Sequence, residues 1–122
     1  MGIKMKKEEI EIWHNTRCSK SRDAYQWLSD KGIDASWIDY MNERVSRKKL
    51  EGVLKKLRLS ASELIRKEED LYKKNFSDKN FSEDEWVDVL MEHPKLIQRP
   101  IIVKGNSAVI ARPIENLEKL FS

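Results

Sequence analysis

The chain has 122 residues, 37% charged and 39% hydrophobic, and its 24 basic against 21 acidic side chains leave a net charge of +3. That length suits one domain with a single core, here residues 1–122, and so slight a charge excess makes no case for nucleic acid. A single cysteine excludes an internal disulfide and the stapled secreted class. The charged start lacks the apolar core of a secretory signal and no apolar run reaches a membrane span, so a cytoplasmic protein is expected.

Glu9 to Trp13 alternates polar and apolar residues, the pattern of a half-buried strand. Ala24, Trp27, Leu28 and Lys31 then recur at helical spacing, and Gly32 supplies a helix stop. Ala35 to Tyr40 reads as a second strand, completing a βαβ unit with parallel strands. From Ser46, a plausible N-cap, Leu50, Val53, Leu54 and Leu57 mark an amphipathic helix. Ser60 to Glu63 has the form of a capping box opening a short helix through Leu64, Ile65 and Arg66. Lys73 to Asn80 is polar and turn-rich, which predicts an exposed loop. Ser82 to Glu85 is a second capping box, and the helix it opens must stop before Pro94. Pro100 to Val103 and Ala108 to Ala111 flank Lys104-Gly105-Asn106-Ser107 as a hairpin. Pro113 suits the first turn of a last helix that packs Leu117, Leu120 and Phe121 on the sheet. The order predicts an α/β fold: a thioredoxin-like four-stranded mixed sheet flanked by helices, with a helical insertion at about residues 46–93.

Cys18 falls between the first strand and the first helix, where unpaired backbone N–H groups and the helix dipole favour a thiolate. Arg17, Lys20 and Arg22 add positive charge beside it. A small buried thiol is the commoner fate of a free cysteine, but the polar, basic neighbours favour a reactive one. There is no C-x-x-C pair; Ser21 takes the second position, so a thiol from another molecule must resolve any adduct, although the serine can still donate a hydrogen bond. Arg66, Arg99 and Arg112 fall in segments expected to be low in charge. Guanidinium forks hold oxyanions bidentately, yet composition alone does not raise these three above ordinary surface arginines. His14 either tunes the nearby thiol or fills space. His93 reads as a helix-end residue, and the two histidines and one cysteine have no metal-ligand spacing. Trp13, Trp27, Trp37 and Trp86 read as core or core-edge packing.

Three segments together resemble the glutaredoxin-coupled arsenate reductases and their thioredoxin-fold relatives, which include the Spx regulators. They are His14-Asn15-Thr16-Arg17-Cys18-Ser19-Lys20-Ser21-Arg22, Leu64-Ile65-Arg66-Lys67, and His93 to Val103 continuing to Ala111-Arg112-Pro113. The resemblance implies that Cys18 is the nucleophile and that Arg66, Arg99 and Arg112 bind the oxyanion. It further implies that His14, Asn15, Ser21 and Arg22 line the substrate site, which Pro100 faces, usually from a cis peptide bond. The first segment departs from the family's usual Asn-Pro-x-Cys-Gly-Thr-Ser-Arg loop at Thr16, in place of proline, and at Ser19-Lys20, in place of Gly-Thr.

The function so implied is an arsenate reductase-like oxidoreductase that takes a small oxyanion, with glutathione as co-substrate, glutaredoxin as partner and no bound cofactor or metal. A monomer without nucleic-acid or membrane partners is expected. Two alternatives remain: a glutathione-dependent thiol reductase without arsenate activity, and an Spx-like regulator that binds RNA polymerase.

Overall fold

The computed structural model describes residues 10–13, 19–43 and 45–121. Its sheet has four strands, β1 (Ile10–Trp13), β2 (Ser36–Ile38), β3 (Ile101–Lys104) and β4 (Ser107–Ile110), in the order β2-β1-β3-β4. β1 runs parallel to β2 and antiparallel to β3, and β3 pairs antiparallel with β4. The expected mixed sheet is therefore present.

Helix α1 (Ser19–Asp30) joins β1 to β2. It ends where expected and for the expected reason: Gly32 takes a φ of +71°. That turn lets Gly32 N–H donate to Ser29 O at 3.0 Å and Ile33 N–H to Leu28 O at 2.9 Å, a Schellman closure. Between β2 and β3 lie α2 (Arg47–Leu57), α3 (Ala61–Leu64), α4 (Asp70–Asn75), α5 (Glu83–Glu92) and a 3-10 turn at Pro94–Leu96. Ser46 caps α2, and both capping boxes are formed, by Ser60 with Glu63 and by Ser82 with Glu85. The last helix is α6 (Asn116–Phe121).

The period-2 alternation explains the layering. Ile10 and Ile12 of β1 and Ile102 of β3 face a cluster with Ala24, Leu28, Leu117 and Leu120. Trp13, Ile101 and Val103 face the opposite cluster with Leu50, Leu54, Leu64, Leu90 and Leu96. The sheet is thus covered by α1 and α6 on one face and by the inserted helices on the other. Arg47 fastens α2 to α5, bonding Glu51 at 3.2 Å, the Asp84 carbonyl at 3.1 Å, and Asp88. Its guanidinium is held still more firmly protonated than usual, chiefly by the hydrogen bond to Asp88.

Several expectations need correction. β2 covers three residues rather than six. α4 occupies Lys73 to Asn75, where a loop was expected; Leu71, Tyr72 and Phe76 pack against the core, so tertiary contact overrides the polar composition. α3 ends at Leu64, and Arg66 lies beyond it because Ile65 leaves the helix to bridge Ile97. Pro113 precedes α6 by three positions rather than opening it. Trp37 is 39% exposed, and its ring centroid lies 4.4 Å from that of the equally exposed Tyr25 rather than in the core.

Candidate active site

One end of the sheet gathers the segments that carry the candidate residues. Trp13, the last residue of β1, pairs with Ile101, the first of β3, and Ile101 pairs with Ile110, the last of β4. β1 therefore runs into the His14–Cys18 segment at the end where Arg99-Pro100 enters β3 and Arg112 leaves β4. The ladder continues one step further, with Ala111 N–H donating to Pro100 O at 2.8 Å. Continuing that register sets Arg99 opposite Arg112. In open α/β sheets, ligands bind beyond the carboxyl ends of the parallel strands, and this is that end of β1.

Arg66 is tied in from the inserted helices. The isolated Ile65–Ile97 bridge is flanked by Arg66 N–H to Leu96 O at 2.7 Å and Gln98 N–H to Leu64 O at 3.0 Å. The Gln98 side chain adds a bond to Glu63 O at 2.9 Å. The segment carrying Arg66 is thereby fixed against the one that runs into Arg99. Just upstream, Glu63 is held below the ordinary carboxylate range by the backbone N–H of Ser60 and then by its hydroxyl.

The three arginines differ in setting. Arg66 is largely buried, with Nε 3.4 Å from Glu68 and Nη1 3.9 Å from Glu69. Those two acids were not singled out from the sequence; their positions two and three residues after Arg66, in a short turn, were the available signal. Arg99 is half-buried, with Nε and Nη1 shielded from water. Arg112 is exposed and has no acidic partner among the described residues. Pro100 is buried, and both Arg99–Pro100 and Arg112–Pro113 are cis peptides. Arg22 is exposed on α1. His14, Asn15 and Cys18 lie outside the described residues, as does the side chain of Ser21. His93 closes α5 as expected, donating its backbone N–H to Val89 O, while its ring meets Phe76.

A cavity of about 290 Å³ borders the same end, lined by Trp13, Tyr40, Val45, Leu50, Pro94 and Ile97 among others. Its described lining includes none of the three arginines and carries the acids Glu43 and Glu92, so it is not the anion site. Among the described residues, no helix is long and apolar enough to cross a membrane.

Residues 13–120 match the ArsC family. The chain belongs to the ArsC family. An arsenate reductase of Neisseria meningitidis is 38% identical over 112 residues, spanning 90% of this chain and 96% of that protein. The Escherichia coli protein YfgD, described as uncharacterised, is equally similar: 38% over 112 residues, spanning 90% and 94%. The solved structure of an arsenate reductase from Vibrio cholerae superposes with a TM-score of 0.86 at 35% identity, spanning 93% of this chain and 98% of that one. Arsenate reductases thus stand among its near relatives in both sequence and fold, the fold is thioredoxin-like, and the relatives support an enzyme.

Proposed function

We propose that this ArsC-family protein reduces arsenate, using Cys18 as nucleophile and the guanidinium groups of Arg66, Arg99 and Arg112 to hold the oxyanion. The observation that carries the reading is the meeting, at one end of the sheet, of the strand that leads to Cys18 with the segments bearing Arg99 and Arg112. Cys18 precedes Ser19, the first residue of the twelve-residue helix α1, whose dipole favours a thiolate at that end.

The chemistry follows from the residue types. The Cys18 thiolate bonds to arsenic, and one arsenate hydroxyl takes up a proton from solvent and leaves as water. The arginines neutralise the charge that builds on the remaining oxygens, the kind of electrostatic stabilisation that is usually the largest catalytic term. Glutathione thiolate then attacks the Cys18 sulfur. The sulfur–arsenic bond breaks with its electron pair retained on arsenic, which departs as arsenite. Two thiols have become one disulfide, and arsenic has gained two electrons. Glutaredoxin attacks the glutathione sulfur of that disulfide and frees Cys18 for the next cycle. Ser21 donates a hydrogen bond to the thiolate, with His14, Asn15, Arg22 and Pro100 lining the site. The protein acts as a cytoplasmic monomer that holds no cofactor and engages neither nucleic acid nor membrane.

The test is arsenite production with purified protein, glutathione and glutaredoxin. Turnover is expected in the wild type and lost in Cys18→Ser while the fold is kept. Reduction of glutathione mixed disulfides with no arsenate-dependent turnover would instead assign the chain to thiol reduction, and polymerase retained from a lysate would favour the Spx-like reading.

A further inference from the structure

This inference rests on the anion-binding role proposed for Arg66 and concerns which anions that arginine admits. Arg66 opens a β-turn: Glu69 N–H donates to Arg66 O at 3.2 Å. The chain doubles back at once and returns the carboxylates of Glu68 and Glu69 to the guanidinium, 3.4 Å from Nε and 3.9 Å from Nη1. Neither contact is a hydrogen bond. The second is too long, and Nε is shielded from water with no hydrogen-bond partner among the described residues. Arg47, by contrast, makes formed hydrogen bonds to the acids around it. At Arg66 the charge is balanced while the buried donor goes unused.

The two partners differ from the arginine in freedom. The Arg66 side chain is 13% exposed, whereas Glu68 is 62% and Glu69 29% exposed. The guanidinium is largely buried, while the acids, Glu68 above all, reach into water.

We propose that Glu68 and Glu69 are specificity-determining residues: a built-in carboxylate competitor at Arg66 that admits doubly charged tetrahedral oxyanions and turns away singly charged ones. An incoming monocarboxylate offers Arg66 no more charge than the tethered carboxylates already do, and it lacks their proximity. A tetrahedral dianion brings twice the charge and oxygens spaced for the guanidinium fork, so it displaces them. The natural ligand class is arsenate and its divalent analogues, with sulfate as a stable probe.

The experiment is calorimetric titration of the full chain with sulfate, arsenate and acetate. The variants are Glu68→Gln, Glu69→Gln, the double variant and Arg66→Ala, with Glu118→Gln on α6 as a distant control for net charge. Removing one of these carboxylates is expected to tighten sulfate and arsenate by about two- to five-fold per Gln substitution. Acetate, which must displace the same carboxylates, should gain by a similar factor and rise from no detectable binding toward the measurable range. In turnover the gain should appear as a lower KM for arsenate. Arg66→Ala should abolish the gain, and Glu118→Gln should not produce it. The wild type binding arsenate and weakening with Arg66→Ala, but with anion affinity unchanged or reduced in the Gln variants, overturns the competitor role and leaves the proposed function standing. An equal gain from Glu118→Gln likewise overturns it. No effect of Arg66→Ala, or no arsenate binding by the wild type, brings down both.

Discussion

Helix α2 carries two positions where the folded state is less stable than the fold requires. Gly52 sits in its interior, and a Cβ added there meets nothing within 4 Å. Glycine at such a site costs about 1 kcal/mol relative to alanine, through the freedom it has when unfolded. Arg58 follows the last turn with a φ of 60°. Its N–H donates to Lys55 O and the Leu59 N–H to Leu54 O, each at 3.1 Å, the closure that Gly32 makes after α1. A side chain in that left-handed conformation costs roughly 1 kcal/mol. Gly52→Ala and Arg58→Gly should therefore each stabilise by about 1 kcal/mol. The six steps from one to the other span about 9 Å of helix, so the effects should nearly add. In a domain of this size, each kcal/mol raises Tm by about 3–6 °C. Urea unfolding followed by circular dichroism should show the midpoint rising at unchanged m. A Gly52→Ala protein less stable than wild type would refute the reasoning, because it would mean that something presses on that face of α2.

The capping box of α3 should make stability pH-dependent. Glu63 has a folded pKa below its ordinary value, so its contribution is complete above the unfolded pKa and disappears as pH falls through the folded one. The stability gap between wild type and Glu63→Gln should close across that acid window and stay constant above it; a gap that opens on acidification would contradict the assignment. At the site, Arg99→Ala should lower arsenate turnover by about 10²–10³-fold, as loss of one preorganised donor to a developing anion does elsewhere. Circular dichroism of that variant should match the wild type, and turnover close to wild type would remove Arg99 from the site.

What the chain reveals unaided follows the range of the interaction. The capping boxes at Ser60 and Ser82, the stop at Gly32 and the hairpin at Gly105 are written within a few residues, so spacing finds them. The order of strand and helix patterns along the chain foretells a mixed sheet flanked by helices. α4 is hidden because its helix depends on Leu71, Tyr72 and Phe76 reaching a core assembled from distant segments. The Ile65–Ile97 bridge, which fixes Arg66, joins residues that no local pattern connects. Trp37 reads from its type as core or core-edge packing; the open edge at β2 lets it lie exposed on Tyr25 instead. At the site, the three arginines stand out in the sequence only through resemblance, since composition alone does not raise any of them above an ordinary surface cation. The pairing of Ala111 with Pro100, which brings the segments bearing Arg99 and Arg112 together, requires the folded sheet.

The account turns on an anionic sulfur at Cys18 next to guanidinium groups, and the rate of Cys18 alkylation against pH, with and without arsenate, tests this most directly. A midpoint well below the ordinary thiol value of about 8.5, together with slower alkylation when arsenate is present, is the predicted result. A midpoint at or above that value, with arsenate making no difference, would contradict it.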